Sequence, residues 1–127
     1  GRNTLYRNSL GVGMYHPIRK IDHTSGSTFT IGEKSRGFMF MNGYSGANGF
    51  GTIYLPPVEY SEGRLFRFKS DDTISANGYY IIRPDATDAT AGTQIDGQAS
   101  FIMNRDYDGI ALICYASEWY VIQRKSK

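Results

Sequence analysis

The segment Asn104-Arg105-Asp106-Tyr107-Asp108-Gly109 carries the residue types of the first half of a calcium loop, with polar side chains at alternate positions and glycine sixth. A loop of that kind closes its coordination shell with a bidentate Glu at the twelfth position. Tyr115 stands there instead, and the flanking residues read as strands, so the segment is expected to be a polar turn that holds no metal. A second candidate is the stretch 42–51, Asn-Gly-Tyr-Ser-Gly-Ala-Asn-Gly-Phe-Gly. A glycine-rich phosphate cradle needs a Gly-Lys-Ser/Thr ending and a helix whose N-terminus faces the anion. Neither follows, so this stretch is expected to be a connecting loop, and no cofactor is implied.

Residues of catalytic type are few and scattered. His16 and His23 are the only histidines, and neither has neighbours at a metal or triad spacing; surface or turn positions are expected for both. Acidic residues lie close together at Asp71-Asp72, at Asp85 with Asp88 and at Asp106 with Asp108. A glycosidase needs its two carboxyl groups to face each other across a cleft, and proximity in a turn does not provide that. Cys114 falls inside an apolar run with no adjacent cation or imidazole, as a small core hydrophobe would. The expectation is a protein that binds rather than catalyses.

Composition narrows what it binds. A formal net charge of +2, with basic residues dispersed except for Arg124-Lys125 and Lys127, is too weak and too scattered a signal for nucleic acid. No run approaches the ~18 apolar residues of a membrane-spanning helix, and no leader-like segment is present, so membrane insertion is not expected. The chain starts Gly1-Arg2-Asn3 without Met, which fits a processed product or part of a longer polypeptide. One cysteine precludes an internal disulfide, and 127 residues suffice to bury a core without one.

The elements that would position these residues are strands. Ten tyrosines, 15 glycines and only 20% charged residues favour pleated segments and tight turns over helices. Apolar or alternating runs occur at Thr28–Ile31, Phe38–Met41, Thr52–Leu55, Arg64–Lys69, Tyr79–Arg83, Phe101–Met103, Ile110–Tyr115 and Trp119–Ile122. Turn-forming residues, or the prolines Pro56, Pro57 and Pro84, separate them. About eight strands at this spacing, with no sustained helical periodicity, predict an all-β fold. Connections too short for helical crossovers predict antiparallel pairing, in a β-sandwich, with a jelly roll or a barrel as alternatives. Residues 28–127 form the expected single domain. Residues 1–27 are expected to be an irregular N-terminal arm or short strands at Leu10–Tyr15 and Ile18–Ile21.

The chain is organised around residues 93–122. Ile110, Leu112 and Cys114 share one face of a strand, and Ala111, Ile113 and Tyr115 share the other. Both faces are apolar, so this strand is expected to be covered on both sides.

Several steps in this region and before it resemble a β-domain that recurs in virion structural proteins of tailed bacteriophages and some large DNA viruses. Ile53-Tyr54-Leu55-Pro56 is similar to its strand ending in Leu-Pro, Gly63-Arg64 with Phe68-Lys69 to its Gly-Arg strand ending in lysine, and Ile82-Arg83-Pro84 to its Ile-x-Pro. Thr93-Gln94-Ile95-Asp96-Gly97 resembles its Thr-Ile-Asp-Gly step, and Trp119-Tyr120-Val121-Ile122 its Trp-x-Val-Ile close. Two turns depart from the pattern, at Asp108-Gly109 and at Ser117-Glu118. The resemblance implies a capsid decoration, minor capsid or fibre-tip component in the virion, commonly a homotrimer. Its partners would be other capsid or tail proteins and, at a fibre tip, a host-surface glycan. It marks Leu55, Pro56, Gly63, Arg64, Lys69, Pro84, Ile95, Asp96, Gly97 and Trp119 as structural positions. A carbohydrate-binding β-sandwich module, suggested by Tyr-rich and Asn-rich loops on an all-β frame, is the alternative from another class.

Overall fold

The structure, a computed structural model, describes residues 17–32, 39–45 and 49–125. The runs at Leu10–Tyr15, His16, the segment 33–38 and the centre of the glycine-rich stretch lie outside the described residues. Nine strands are present among those described: β1 (Ile18–His23), β2 (Thr28–Thr30), β3 (Met39–Tyr44), β4 (Phe50–Tyr54), β5 (Leu65–Ser70), β6 (Tyr79–Arg83), β7 (Phe101–Met103), β8 (Gly109–Tyr115) and β9 (Glu118–Lys125). They form two sheets, ordered β1-β3-β5-β8-β9 and β2-β4-β6-β7. The all-β expectation holds.

The expected antiparallel pairing does not hold throughout. β1, β3 and β5 run parallel, as do β2, β4 and β6; only β5/β8, β8/β9 and β6/β7 are antiparallel. A parallel neighbour normally requires a long crossover. Here the crossover is itself a strand of the opposite sheet: the chain passes from β1 through β2 to reach β3, and from β3 through β4 to reach β5. It thus coils between two sheets before closing with antiparallel strands, which excludes a jelly roll.

Alternation explains the core. In β5, Phe66 and Phe68 turn inward while Arg67 and Lys69 turn out. Phe40 stacks on Phe68 at 5.1 Å between ring centroids, and Phe66 meets Trp119 at 5.9 Å. From the smaller sheet, Phe29, Ile53, Ile82 and Phe101 lie side by side in one inward row, and Phe29 reaches Phe40 across the interior. Trp119, Phe66, Ile53, Leu55 and Ile82 are fully buried. Each such side chain contributes about 1.5–3 kcal/mol relative to exposure.

Two expected loops contain regular structure. Asn42, Gly43 and Tyr44 belong to β3, and Phe50 and Gly51 belong to β4. The glycines are there for close approach. A Cβ on Gly43 would lie 2.6 Å from Asp71 Oδ2 and 2.8 Å from Asp22 Oδ1, and one on Gly51 would lie 2.5 Å from His23 Nδ1. Within 85–92, Ala86–Thr90 forms a short helix, capped by the Asp85 carboxylate, which accepts from the Thr87 and Asp88 N–H groups. Ile74–Asn77 adds a single helical turn, and Val58–Tyr60 a 3-10 turn.

Candidate functional site

The ten positions that the resemblance marks fall into three groups. Ile95 is buried, and Asp96 (φ 49°) and Gly97 (φ 75°) make a tight turn in the left-handed region, where Asp and Gly are tolerated. The Trp119 N–H donates to the Gln94 carbonyl, the Asp96 N–H to the Trp119 carbonyl, and the Val121 N–H to Asp96 Oδ1. The Thr-Gln-Ile-Asp-Gly step and the Trp-Tyr-Val-Ile step are therefore one unit. Leu55 and Pro56 are buried beside β6, where the Leu55 N–H donates to the Arg83 carbonyl next to buried Pro84. Gly63 (φ 78°) donates its N–H to the Cys114 carbonyl, and the Arg64 guanidinium lies 5.0 Å from the Phe66 ring centroid. Burial lowers the Arg64 pKa from its ordinary value, with the Cys114 thiol opposing. Lys69 Nζ donates to the Tyr107 carbonyl at 2.6 Å.

The half calcium loop is a turn whose buried carboxylate faces arginine. Asp108 Oδ2 lies 3.3 Å from Arg124, Asp108 Oδ1 accepts from the Gly109 N–H, and Ser70 clamps the turn by donating to the Arg105 carbonyl and accepting from the Asp108 N–H. Asp88 and Asp71 are committed locally. Asp88 Oδ2 accepts from the Val58 N–H, and Asp71 Oδ1 accepts from both Thr73 donors. Burial alone would raise the Asp71 pKa, but the Thr73 hydrogen bonds and Lys20, 3.5 Å away, hold it below the ordinary value. Among the described residues no cluster of three metal-ligating side chains occurs.

His23 is buried at 1% exposure rather than placed on the surface. The alternation that turns Ile21 inward turns His23 inward as well, and its ring stacks on Tyr80 at 5.1 Å. Burial lowers its pKa, opposed by Asn42 and by the charge of Asp22. The contact with Asn42 is imperfect, because His23 Nε2 and Asn42 Oδ1 each lack a well-formed hydrogen bond. Cys114 is fully buried, as expected, and burial with nearby Glu62 and Asp88 pushes its thiol up to about 11. Such a thiol is not a nucleophile at neutral pH.

No family model matches the chain, and no curated protein matches it.

The outer face of the five-stranded sheet carries several exposed apolar side chains. Register puts Ile18, Met39, Arg67, Ala111 and Gln123 in one row across it, and Leu65, Ile113 and Tyr120 in another. Ile18 is 68% exposed, Tyr115 64%, Ile122 55% and Tyr120 40%. A groove of about 280 Å³ lies over Gly109 and Ala111, bordered by Met39, Arg67, Lys69 and Gln123. On the second face of β8, the described residues bury Ala111 but leave Ile113 half-buried and Tyr115 exposed. Arg67 was absent from the expected positions. The signal for the groove is the size gradient Gly109, Ala111, Ile113, Tyr115 along one face of β8, small at one end and large at the other.

Proposed function

We propose that this chain is a virion structural protein that acts by protein–protein binding, as a capsid decoration, minor capsid or fibre-tip component, and that it assembles as a homotrimer. The observation that carries the reading is the outer face of the five-stranded sheet, where Arg67 lies between Met39 and Ala111 and the exposed side chains include Ile18, Tyr115 and Tyr120. A surface that mixes Tyr, Met and Arg in this way has the composition of an interface. Ile95–Gly97 and Trp119–Val121, which belong to two of the steps that resemble virion β-domains, form one hydrogen-bonded unit, so the resemblance falls on residues that depend on each other. The committed carboxylates and the high thiol pKa favour binding over catalysis. Light scattering of the purified chain, with mass spectrometry of purified particles, tests the reading: a stable trimer that is also present in particles supports it, and a monomer absent from particles overturns it.

A sugar-binding role, free-standing or at a fibre tip, is favoured by a separate feature. Phe50, 42% exposed, stacks on Tyr79 at 5.5 Å on the outside of the smaller sheet, and an exposed aromatic face can stack on the apolar face of a sugar. Saturable binding on a glycan array that Phe50→Ala abolishes would establish this second role.

A further inference from the structure

We infer that a second copy of this chain docks on the outer face of the five-stranded sheet, with the Tyr115 and Tyr120 pair of one copy seated in the groove over Gly109 and Ala111 of the next. The inference rests on the homo-oligomeric reading above and names the surface that would carry it.

Both halves of the contact are on one face. Tyr115 and Tyr120 stand beside each other, ring centroids 6.4 Å apart, and project from the end of the face where β8 turns into β9. The groove lies at the other end of β8, where Gly109 and Ala111 leave room above the sheet and Met39 forms an apolar wall. From Ile110 to Tyr115 is about 17 Å along an extended strand. A tyrosine therefore cannot reach the groove of its own chain, but it can reach that of a neighbour.

Charge separates the two ends in the same way. Arg67 and Lys69 border the groove. Arg67 makes no ion pair with any described residue. Beside the tyrosines lie Glu118, directly across the β8/β9 ladder from Tyr115, and Glu62, which accepts from the Ala116 N–H. Docking tyrosines into groove brings Glu62 and Glu118 toward the partner's uncompensated cations, which favours this orientation over tyrosines against tyrosines.

Five strands at ~4.8 Å spacing and about six residues at ~3.4 Å give a face of roughly 24 by 20 Å in plan. Shared between two contacts, it gives each contact about 500 Å² over both partners, below the size of a standard interface, so the assembly depends on both contacts of every copy being made. Since tyrosine pair and groove are different patches, the contact is head-to-tail and closes into a ring when the rotation allows. Three copies would satisfy the proposed trimer, and the open side of β8 would then be covered as its apolar pattern requires.

The test uses two surface substitutions, Arg67→Glu, which impairs only the groove, and Tyr115→Ser, which impairs only the tyrosine pair. Each is measured by light scattering after thermal unfolding has confirmed a folded chain. Each variant alone is expected at the monomer mass of 14.2 kDa at concentrations where the unaltered chain is an oligomer. An equimolar mixture is expected to show a species of twice that mass as its concentration is raised, since one intact contact remains per mixed pair, while neither variant alone does so. If both variants keep the oligomer mass, or if the mixture self-associates no more than the separate variants at any concentration, this contact is wrong and the oligomer stands on another surface. If the unaltered chain is itself monomeric, the contact and the oligomeric reading fail together.

Discussion

The Asp96 carboxylate accepts a 3.0 Å hydrogen bond from the backbone N–H of Val121, 25 residues further along the chain. One side chain thereby ties a left-handed turn to the edge strand β9. Asp96→Ala removes that acceptor and places a residue poorly suited to positive φ, so a loss of about 1–2 kcal/mol is expected. Asp96→Asn keeps both the acceptor and the tolerance for positive φ, and should lose less than half as much. Urea unfolding of the two variants checks the difference.

Gly43 sits between Asp22 and Asp71. Gly43→Ala is expected to cost about 1–3 kcal/mol, because Asp71 is held by Thr73 and Lys20 and cannot swing aside. Asp22 is exposed and can move. Adding Asp71→Ala to Gly43→Ala should therefore recover part of the loss by removing the fixed obstacle, whereas adding Asp22→Ala should recover little. Double-mutant cycles by chemical unfolding would measure both couplings.

His23 is held neutral by burial. The unfolded chain binds a proton at this residue near pH 6.5 and the folded chain does so only at lower pH, so stability falls as pH drops below about 6.5. His23→Phe keeps the stack on Tyr80 and removes the titration. It should flatten that part of the stability curve between pH 7.5 and 5, which denaturant midpoints across the range would show. An unchanged slope would place the acid sensitivity elsewhere.

Cys114 gives the opposite sign at the alkaline end. Its thiol keeps its proton to about pH 11 in the folded chain, while an exposed thiol loses it near pH 8.5–9. Stability is therefore full below about pH 8.5 and declines as pH rises toward 11. Cys114→Ala should remove this contribution, at the cost of a small cavity. The Tyr80 hydroxyl, whose pKa burial also raises, will leave a residual decline above pH 10.

Asp108 is fully buried and Arg124 is half exposed. Arg124→Met leaves the carboxylate its backbone donor but removes the facing cation, and a loss of about 2 kcal/mol is expected, less than for a wholly buried pair because water reaches the arginine side. Asp108→Asn in the same background should restore part of it. Thermal melts at low and high salt would confirm the electrostatic origin.

Much of the strand content was legible because alternation and apolar runs leave a mark in the residues: Phe66 and Phe68 alternate with Arg67 and Lys69 in β5, and the apolar runs Tyr79–Arg83 and Phe101–Met103 are strands. Pairing direction was not, because nothing local distinguishes a strand that returns to its own sheet from one that crosses to the other. Gly43 and Gly51 mislead for a related reason. A glycine required by a neighbouring carboxylate or imidazole looks, in one dimension, like a glycine required by a turn. His23 was misplaced because an inward position on a strand is set by Ile21 two residues earlier, whereas its polar side chain suggests the reverse. The dependence of Asp96 on Trp119 and Val121 was legible only as two separate matches, and the groove only as a gradient of side-chain size.

The coiling path also constrains how the chain is made. β5 carries Phe66 and Phe68 and pairs on one edge with β3, yet its other edge is covered only by β8, whose register begins 40 residues later, from Lys69 to Gly109. A ribosome that has delivered the parallel strands therefore holds a nascent chain with an open sheet edge and an uncapped aromatic interior until residues 109–125 emerge. Pairings this distant are slow to form. Premature stops before Trp119 should therefore yield aggregates rather than shortened, folded proteins.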